Sequence, residues 1–170
     1  MKPIFLCGFM GCGKTTVGKR LATVLGAGYC DMDQLIVKRE EMTIPEIFEK
    51  YGEEHFRKLE TELIEELSES YKGVISCGGG AMLRRENAEL AKKRGMILFL
   101  DTPFRQCYYR ISGDKNRPIA ANSTKSELEE LYNKRYPLYK GHSSYTIPCM
   151  GSPNRIVTEI VDTLKLHGEL

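Results

Sequence analysis

Short apolar runs alternate with longer amphipathic segments along this chain. Five runs have the length and the apolar or β-branched content of strands, and the second is the weakest. Continuous apolar runs of this kind are typical of parallel strands that are buried on both faces. The predicted strands are 3–7, 28–30, 73–77, 96–100 and 144–148.

Helical spacing of apolar residues fills the stretches between these strands. The longest such segment, 53–71, places its apolar positions on one face and leaves an acidic face for solvent. Shorter helices are predicted through 35–37, over 86–93 and over 124–135, where Pro137 follows.

Capping signals predict where several helices begin. Thr-x-x-Glu boxes at 43–46 and 124–127 predict two helix starts, and Ser152-Pro153 predicts the start of the last helix. After the fourth strand, Thr102-Pro103 is interpreted as an N-cap followed by the first helical residue.

The alternation of strands and helices predicts the fold class. It favours parallel β-α-β units with right-handed crossovers, and therefore a three-layer α/β structure with helices on both faces. The length of 170 residues fits one domain, 1–170, with a sizeable core. Since ligands of such folds bind at the carboxyl ends of the strands, we expect the ligand-binding residues to lie there.

The first strand ends in a phosphate-binding loop. Residues 8–15, Gly-Phe-Met-Gly-Cys-Gly-Lys-Thr, fit G-x-x-x-x-G-K-[ST] and lead directly into a helix. Gly11 and Gly13 let backbone N–H groups approach a polyphosphate, and the helix directs its positive end at the same anion. Lys14 can then reach the outer phosphates, and the Thr15 hydroxyl can bind Mg²⁺. A glycine-rich turn before an ordinary helix is the alternative.

Charge and composition exclude several classes of partner. The 25 basic and 23 acidic residues leave a formal net charge of +2, without a basic block or a basic amphipathic helix. Binding to nucleic acid or to a membrane surface is therefore not expected. The chain start has no room for a signal peptide, and the six cysteines show no metal-binding spacing. We expect a reduced, cytoplasmic protein.

Two acids compete to support the metal ion. Asp31 follows the second strand, and Asp101 follows the fourth. Asp101 precedes Thr102-Pro103, so its carboxylate can equally serve a helix start. Asp31 is favoured, through water, because Mg²⁺ gives up its waters reluctantly.

Asp33 lies two residues beyond Asp31. In an extended segment the two carboxylates would project to the same side, which leaves Asp33 to accept a hydrogen bond from a substrate hydroxyl. The alternative is a pair of solvated acids in a helix-starting turn.

Further strand-end and helix residues suit a small hydroxylated acid. Arg57 and Arg135 can bind a carboxylate in two-point fashion, and Glu60 lies three residues from Arg57, close enough to hold its guanidinium. The turn 78–80, Gly-Gly-Gly, lets backbone N–H groups approach a ligand. Alternatively, the two arginines are solvated helix charges, and the three glycines form a tight turn between a strand and a helix.

The stretch 112–123 has no periodicity and is predicted to be a mobile lid. It contains Arg117, followed by a proline, which we interpret as a residue that swings over the triphosphate and stabilises charge on the γ-phosphoryl group. An ordinary exposed loop arginine is the alternative.

With these residues in hand, the chain resembles the shikimate kinases over nearly its whole length. The resemblance lies in an ordered series of motifs, which is much more specific than the phosphate loop alone. The series is the phosphate loop, Asp-x-Asp at 31–33, Phe-Arg-x-x-Glu at 56–60, Gly-Gly-Gly at 78–80, Arg-Pro at 117–118 and Arg-x-Pro-Leu-Tyr at 135–139.

The resemblance implies MgATP-dependent phosphorylation of the 3-hydroxyl of shikimate, a step of aromatic amino acid biosynthesis. It implies a monomer with a P-loop kinase fold, a parallel sheet in the order 2-3-1-4-5, and a substrate-binding helical segment at about 33–60. The implied catalytic residues are Lys14, Asp33 and Arg117.

The resemblance also implies the residues that bind each ligand. Shikimate is bound by Asp33, Arg57, Gly79, Gly80 and Arg135. The nucleotide is held by Gly11, Cys12, Gly13, Lys14, Thr15, Thr16, Arg110, Arg117 and Pro153. Mg²⁺ is held by Thr15 and, through water, by Asp31.

Two departures from the family pattern are small. Cys12 stands where the family more often has Ser or Ala, and Ile119 stands where Leu is frequent. Two rival functions remain: a kinase for another small hydroxy acid such as gluconate, and a non-catalytic nucleotide-binding switch.

Overall fold

A computed structural model describes residues 1–112 and 123–170. Its centre is a five-stranded, entirely parallel sheet in the order β2-β3-β1-β4-β5, which confirms the predicted α/β class and strand order. The strands are β1 Ile4–Cys7, β2 Gly28–Asp31, β3 Gly73–Ser76, β4 Met96–Asp101 and β5 Tyr145–Pro148.

Helices surround this sheet and make it the middle layer. The α-helices are α1 Lys14–Leu25, α2 Met32–Glu40, α3 Ile44–Tyr51, α4 Glu53–Ser70, α5 Arg85–Arg94, α6 Phe104–Ile111, α7 Lys125–His142 and α8 Pro153–Leu166, and a 3-10 turn spans Ala81–Leu83. Helices α1 and α8 pack together, α4 packs on α5, and α7 packs on β4.

The core lies where the apolar runs predicted it. Every residue of β1 and β3 is buried, whereas the edge strand β2 is partly exposed. Backbone pairing aligns Leu6 with Ser76 and with Leu98, so the carboxyl ends of the three central strands meet at one edge of the sheet. The phosphate loop, the glycine turn and Asp101 therefore lie side by side.

The predicted helix start at Thr102 is wrong. Pro103 is the N-cap of α6, which begins at Phe104. The Thr102 hydroxyl is buried and donates a hydrogen bond to the Cys12 carbonyl at 2.8 Å. Since that hydroxyl is committed to the phosphate loop, it caps no helix.

The predicted end of α7 at Arg135 is also wrong. The helix continues to His142 with Pro137 inside it. Although a proline removes one backbone hydrogen bond, tertiary contacts hold the last turns in place. Tyr139 is buried there, and a ring nitrogen of His142 is 2.8 Å from the Met82 carbonyl.

The cysteines and the helices can be compared with the predicted reduced protein without a membrane span. All six cysteines are free thiols, and all but Cys30 are buried. Among the helices of residues 1–112 and 123–170, none combines the length and the apolar content needed to cross a bilayer.

Candidate active site

The phosphate loop is held in a conformation that requires glycine. Gly11 and Gly13 have φ of 77° and 104°, in the left-handed region that side chains rarely adopt. A Cβ on Gly11 would lie 2.8 Å from the Cys107 carbonyl oxygen, so space excludes a side chain as well. Gly13 is the N-cap of α1 and supplies no side-chain cap, and the first turn carries no acid. The N–H groups at this helix end are thus suited to an anion.

Contacts from Lys14 and from α6 hold the phosphate loop in place. The Lys14 ammonium donates to the carbonyls of Gly8 and Phe9 at 2.7 and 3.3 Å, and it lies 3.7 Å from the buried Cys12 sulfur. Arg110 donates to the Gly11 carbonyl at 3.0 Å. Thr15 and Thr16 follow Lys14 with exposed side chains.

Charged side chains converge on the glycine turn at 78–80, beside the phosphate loop. A Cβ on Gly78 would lie 2.6 Å from Asp33 Oδ1, and one on Gly80 would lie 2.5 Å from Arg57 Nη1. A Cβ on Gly79 would lie 3.4 Å from Arg135 Nη1. The structure therefore brings together the predicted substrate-binding residues, and the turn is glycine because these groups occupy the space of its side chains.

Glu60 orients Arg57, as the three-residue spacing predicted. The Arg57 guanidinium donates to Glu60 Oε1 at 2.6 Å and to Glu53 at 3.3 Å. Glu60 is fully buried, and its Oε2 has no hydrogen-bond partner within the described part of the chain. Burial raises the pKa of Glu60, although Arg57 opposes this shift.

The electrostatic surroundings of Asp33 link the two halves of the site. Burial raises the pKa of the Asp33 carboxyl, the neighbouring Asp31 raises it further, and Lys14 and Arg57 pull it down. The charge of the phosphate-loop lysine therefore acts on Asp33, which lies in α2 beside the glycine turn.

The segment from Asp31 to Asp33 is not extended as predicted. Asp31 is the N-cap of α2, and Asp33 lies in its first turn. Asp31 Oδ1 accepts the Gln34 N–H at 3.0 Å, so the predicted alternative, a helix-starting turn, describes this backbone. Among residues 1–112 and 123–170, no three His, Cys, Asp or Glu side chains cluster as metal ligands. A metal role for Asp31 with Thr15 stays a prediction.

Asp101 does not have the helix-starting role considered for it, and a metal role stays untested. Its carboxylate accepts a hydrogen bond from the Tyr136 hydroxyl at 2.7 Å, and it does not start α6. This bond raises the pKa of Tyr136.

Pro153 and Arg117 are the remaining predicted site residues. Pro153 is the first residue of α8, beside Asn154, which accepts a hydrogen bond from Arg20 of α1. Arg117 and nearly all of the predicted lid, 112–123, lie outside the described residues.

The contacts of two hydroxyls near the strand ends were not predicted from the sequence. Tyr139 is buried and donates to the Gly79 carbonyl, and Thr102 donates to the phosphate loop. The available signal was weak, since Thr102 precedes a proline at the end of an apolar run and Tyr139 follows Pro137 by two residues. Only the packing shows which carbonyl each one reaches.

Comparisons with known proteins bear on the family of this chain. A shikimate kinase family model matches residues 10–165. A shikimate kinase of Persephonella marina is 41% identical over 166 residues, which are 97% of this chain and 100% of that protein.

Solved structures give the same family and the breadth of the fold. The shikimate kinase of Acinetobacter baumannii, in complex with shikimate, superposes with a TM-score of 0.88 at 38% identity, covering 100% of this chain and 96% of that chain. A gluconokinase of Sinorhizobium meliloti superposes with a TM-score of 0.62 at 15% identity, covering 99% and 94%, and so shares the fold alone. The phosphate loop and the glycine turn with its charged neighbours lie at one edge of the sheet. Together with the similarity over nearly the whole length, this shows that the chain belongs to the shikimate kinase family.

Proposed function

We propose that this chain transfers the γ-phosphoryl group of ATP to the 3-hydroxyl of shikimate and forms shikimate 3-phosphate. The observation that carries the proposal is the convergence of Asp33, Arg57 and Arg135 on the glycine turn next to Lys14. Binding of a hydroxylated carboxylic acid requires two kinds of group. Cations bind its carboxylate, and a protein carboxylate accepts a hydrogen bond from its hydroxyl.

The acceptor is held from two sides in this proposal. Arg57, oriented by Glu60, and Arg135 bind the carboxylate of shikimate, together with backbone N–H groups of Gly79 and Gly80. Asp33 accepts a hydrogen bond from the 3-hydroxyl and orients its oxygen toward the phosphate loop. Phosphoryl transfer depends mainly on such positioning, so a strong base is not required.

The nucleotide phosphates occupy the loop in this proposal. Backbone N–H groups from Gly11 to Thr16 and the start of α1 hold them, and Lys14 turns from the loop carbonyls to the outer phosphates. The exposed Thr15 hydroxyl and the Asp31 carboxylate fit a Mg²⁺ ion, which prefers oxygen ligands. Bound there, Mg²⁺ neutralises phosphate charge. Arg110 and Pro153 are proposed to hold the adenine, and Arg117 the charge on the transferred group.

A coupled assay of ADP release tests the proposal. We expect turnover with shikimate that far exceeds turnover with gluconate or with nucleoside monophosphates. Turnover with gluconate but not with shikimate would contradict the acceptor assignment and leave a kinase. Tight ATP binding without any acceptor-dependent ADP would contradict catalysis and favour the non-catalytic switch.

The same proposal covers the organisation of the chain. It comprises one P-loop kinase domain at 1–170, with a lid at about 112–123 and a substrate-binding segment at about 33–60. We further propose a cytoplasmic monomer that binds neither nucleic acid nor membranes. Light scattering coupled to size-exclusion chromatography tests the monomer, and a dimer at micromolar concentration would contradict it.

A further inference from the structure

A buried tyrosine hydroxyl is bound to the backbone of the glycine turn. Tyr139 of α7 is 1% exposed and is among the largest fully buried side chains. Its hydroxyl donates to the Gly79 carbonyl at 2.5 Å. That carbonyl belongs to the peptide between Gly79 and Gly80, two residues without side chains to restrict the rotation of the peptide.

Tyr139 is one of three tyrosines that fasten α7 to the strand ends. Tyr132, Tyr136 and Tyr139 follow helical spacing along one face of α7. Tyr132 donates to the Thr102 carbonyl at 2.8 Å, and Tyr136 donates to Asp101 at 2.7 Å, both after or at the end of β4. Tyr139 instead reaches the turn after β3. The three hydroxyls are alike in chemistry, but they bind different parts of the site.

Arg135 lies one helical turn before Tyr139 and faces the same glycine. Its Nη1 lies 3.4 Å from the position of a Cβ on Gly79. Burial raises the pKa of Tyr139, while the charges of Lys14 and Arg135 lower it. The Tyr139 hydroxyl therefore connects the helix that carries Arg135 to the turn that Arg135 faces.

We propose that Tyr139 is a positioning residue for the acceptor: its hydroxyl fixes the Gly79–Gly80 peptide and its distance from Arg135. The inference rests on the proposed function, because the proposed function assigns Gly79 and Arg135 to the carboxylate of shikimate. Tyr139 does not touch the substrate in this account. It keeps a backbone donor and a guanidinium aligned for one carboxylate, so removing the hydroxyl weakens acceptor binding before it affects the nucleotide.

Tyr139→Phe, with Tyr136→Phe as the matched control, tests the inference. Both variants lose one hydroxyl from the same helix face and keep the ring packing. We expect Tyr139→Phe to raise the KM for shikimate about five-fold, as for one lost hydrogen bond, with kcat and the KM for ATP nearly unchanged. Tyr136→Phe is expected to leave the KM for shikimate nearly unchanged. Calorimetric titration with shikimate alone should show the same weaker binding for Tyr139→Phe.

A donor-retaining variant separates positioning from packing. Incorporation of 4-aminophenylalanine at 139 keeps an N–H donor and is expected to restore the KM for shikimate. Should Tyr139→Phe fail to fold, 4-methylphenylalanine at 139 fills the volume without a donor and replaces it in the comparison. Equal KM values for the Tyr139 and Tyr136 variants, or no rescue by the amine, would overturn the inference. Absence of shikimate turnover in the unsubstituted chain would instead overturn the proposed function, and this inference with it.

Discussion

The Asp33 carboxyl has a stability cost that depends on pH. Burial, with Asp31, raises the pKa of its carboxyl above the ordinary value of 3.8. The folded chain therefore binds this proton more tightly than the unfolded chain. By linkage, the contribution of Asp33 to stability decreases as the pH rises from 3.8 through the raised pKa, and it is unfavourable at neutral pH.

Asp33→Asn is therefore expected to raise Tm at pH 7 while it lowers kcat/KM for shikimate on the order of 10²-fold or more. In the unsubstituted chain, kcat/KM should decrease as the pH falls through the raised pKa of Asp33, because the proton then occupies the accepting oxygen. Thermal melts and a pH–rate profile measure both effects. Glu46→Gln, which alters an exposed acid in the first turn of α3, is the control and should leave kcat/KM unchanged. A lower Tm for Asp33→Asn would contradict this account of Asp33.

Gly78 and Gly141 make a matched pair of glycine-to-alanine changes. The Cβ of Gly78→Ala would displace Asp33, so we expect kcat/KM for shikimate to fall roughly 10²-fold, as for a catalytic group misplaced by about 1 Å. Gly141 lies in α7 with open space around its Cβ position, so Gly141→Ala should raise the free energy of unfolding by about 0.5–1 kcal/mol without loss of activity. Steady-state kinetics and urea unfolding measure these effects. Equal activities of the two variants would contradict the crowding at Gly78.

At the scale of elements, the junction between β4 and α6 supports the phosphate loop. Thr102→Val removes the buried hydroxyl that binds the Cys12 carbonyl. We expect a loss of about 1–3 kcal/mol in the free energy of unfolding, because a buried carbonyl loses its partner. The KM for ATP should rise several-fold, since the loop is less well held. Thr158→Val, which alters an exposed threonine of α8 that bonds the Asn154 carbonyl, is the control in kinetics and urea unfolding. The same changes in both variants would argue against a role in the loop.

The elements also show why some helix ends were predictable and others were not. The Thr124 side chain accepts the Glu127 N–H, as its capping box predicted, because that signal is local. The predicted start at Thr102 and the predicted end at Arg135 were wrong because a distant partner decides each one. The Thr102 hydroxyl donates to the Cys12 carbonyl instead of capping α6. Because Tyr139 is buried, α7 continues beyond Pro137. Propensity near a proline is a weak guide when tertiary contacts outweigh it.

At the scale of the whole molecule, β1 pairs with both β3 and β4 and ties the two halves of the sheet together. We therefore expect one cooperative unfolding transition for the proposed single domain in differential scanning calorimetry. A non-hydrolysable ATP analogue with Mg²⁺, at about 100 times its Kd, should add about 2.7 kcal/mol to the free energy of unfolding. Two resolved transitions would contradict the single domain, and no shift with the analogue would contradict the nucleotide site.

The sequence by itself determined the α/β class, the phosphate loop and the set of charged residues at the strand ends. These depend on local patterns: apolar periodicity, glycine spacing and capping residues act over a few positions of the chain. Tertiary structure decided which groups meet. Packing brought the Tyr139 hydroxyl to the Gly79 carbonyl, the Thr102 hydroxyl to the Cys12 carbonyl and the Tyr136 hydroxyl to the Asp101 carboxylate. The reason is that a hydrogen bond between residues as far apart as Gly79 and Tyr139 follows from how helices pack on the sheet, and no short stretch of sequence encodes that distance.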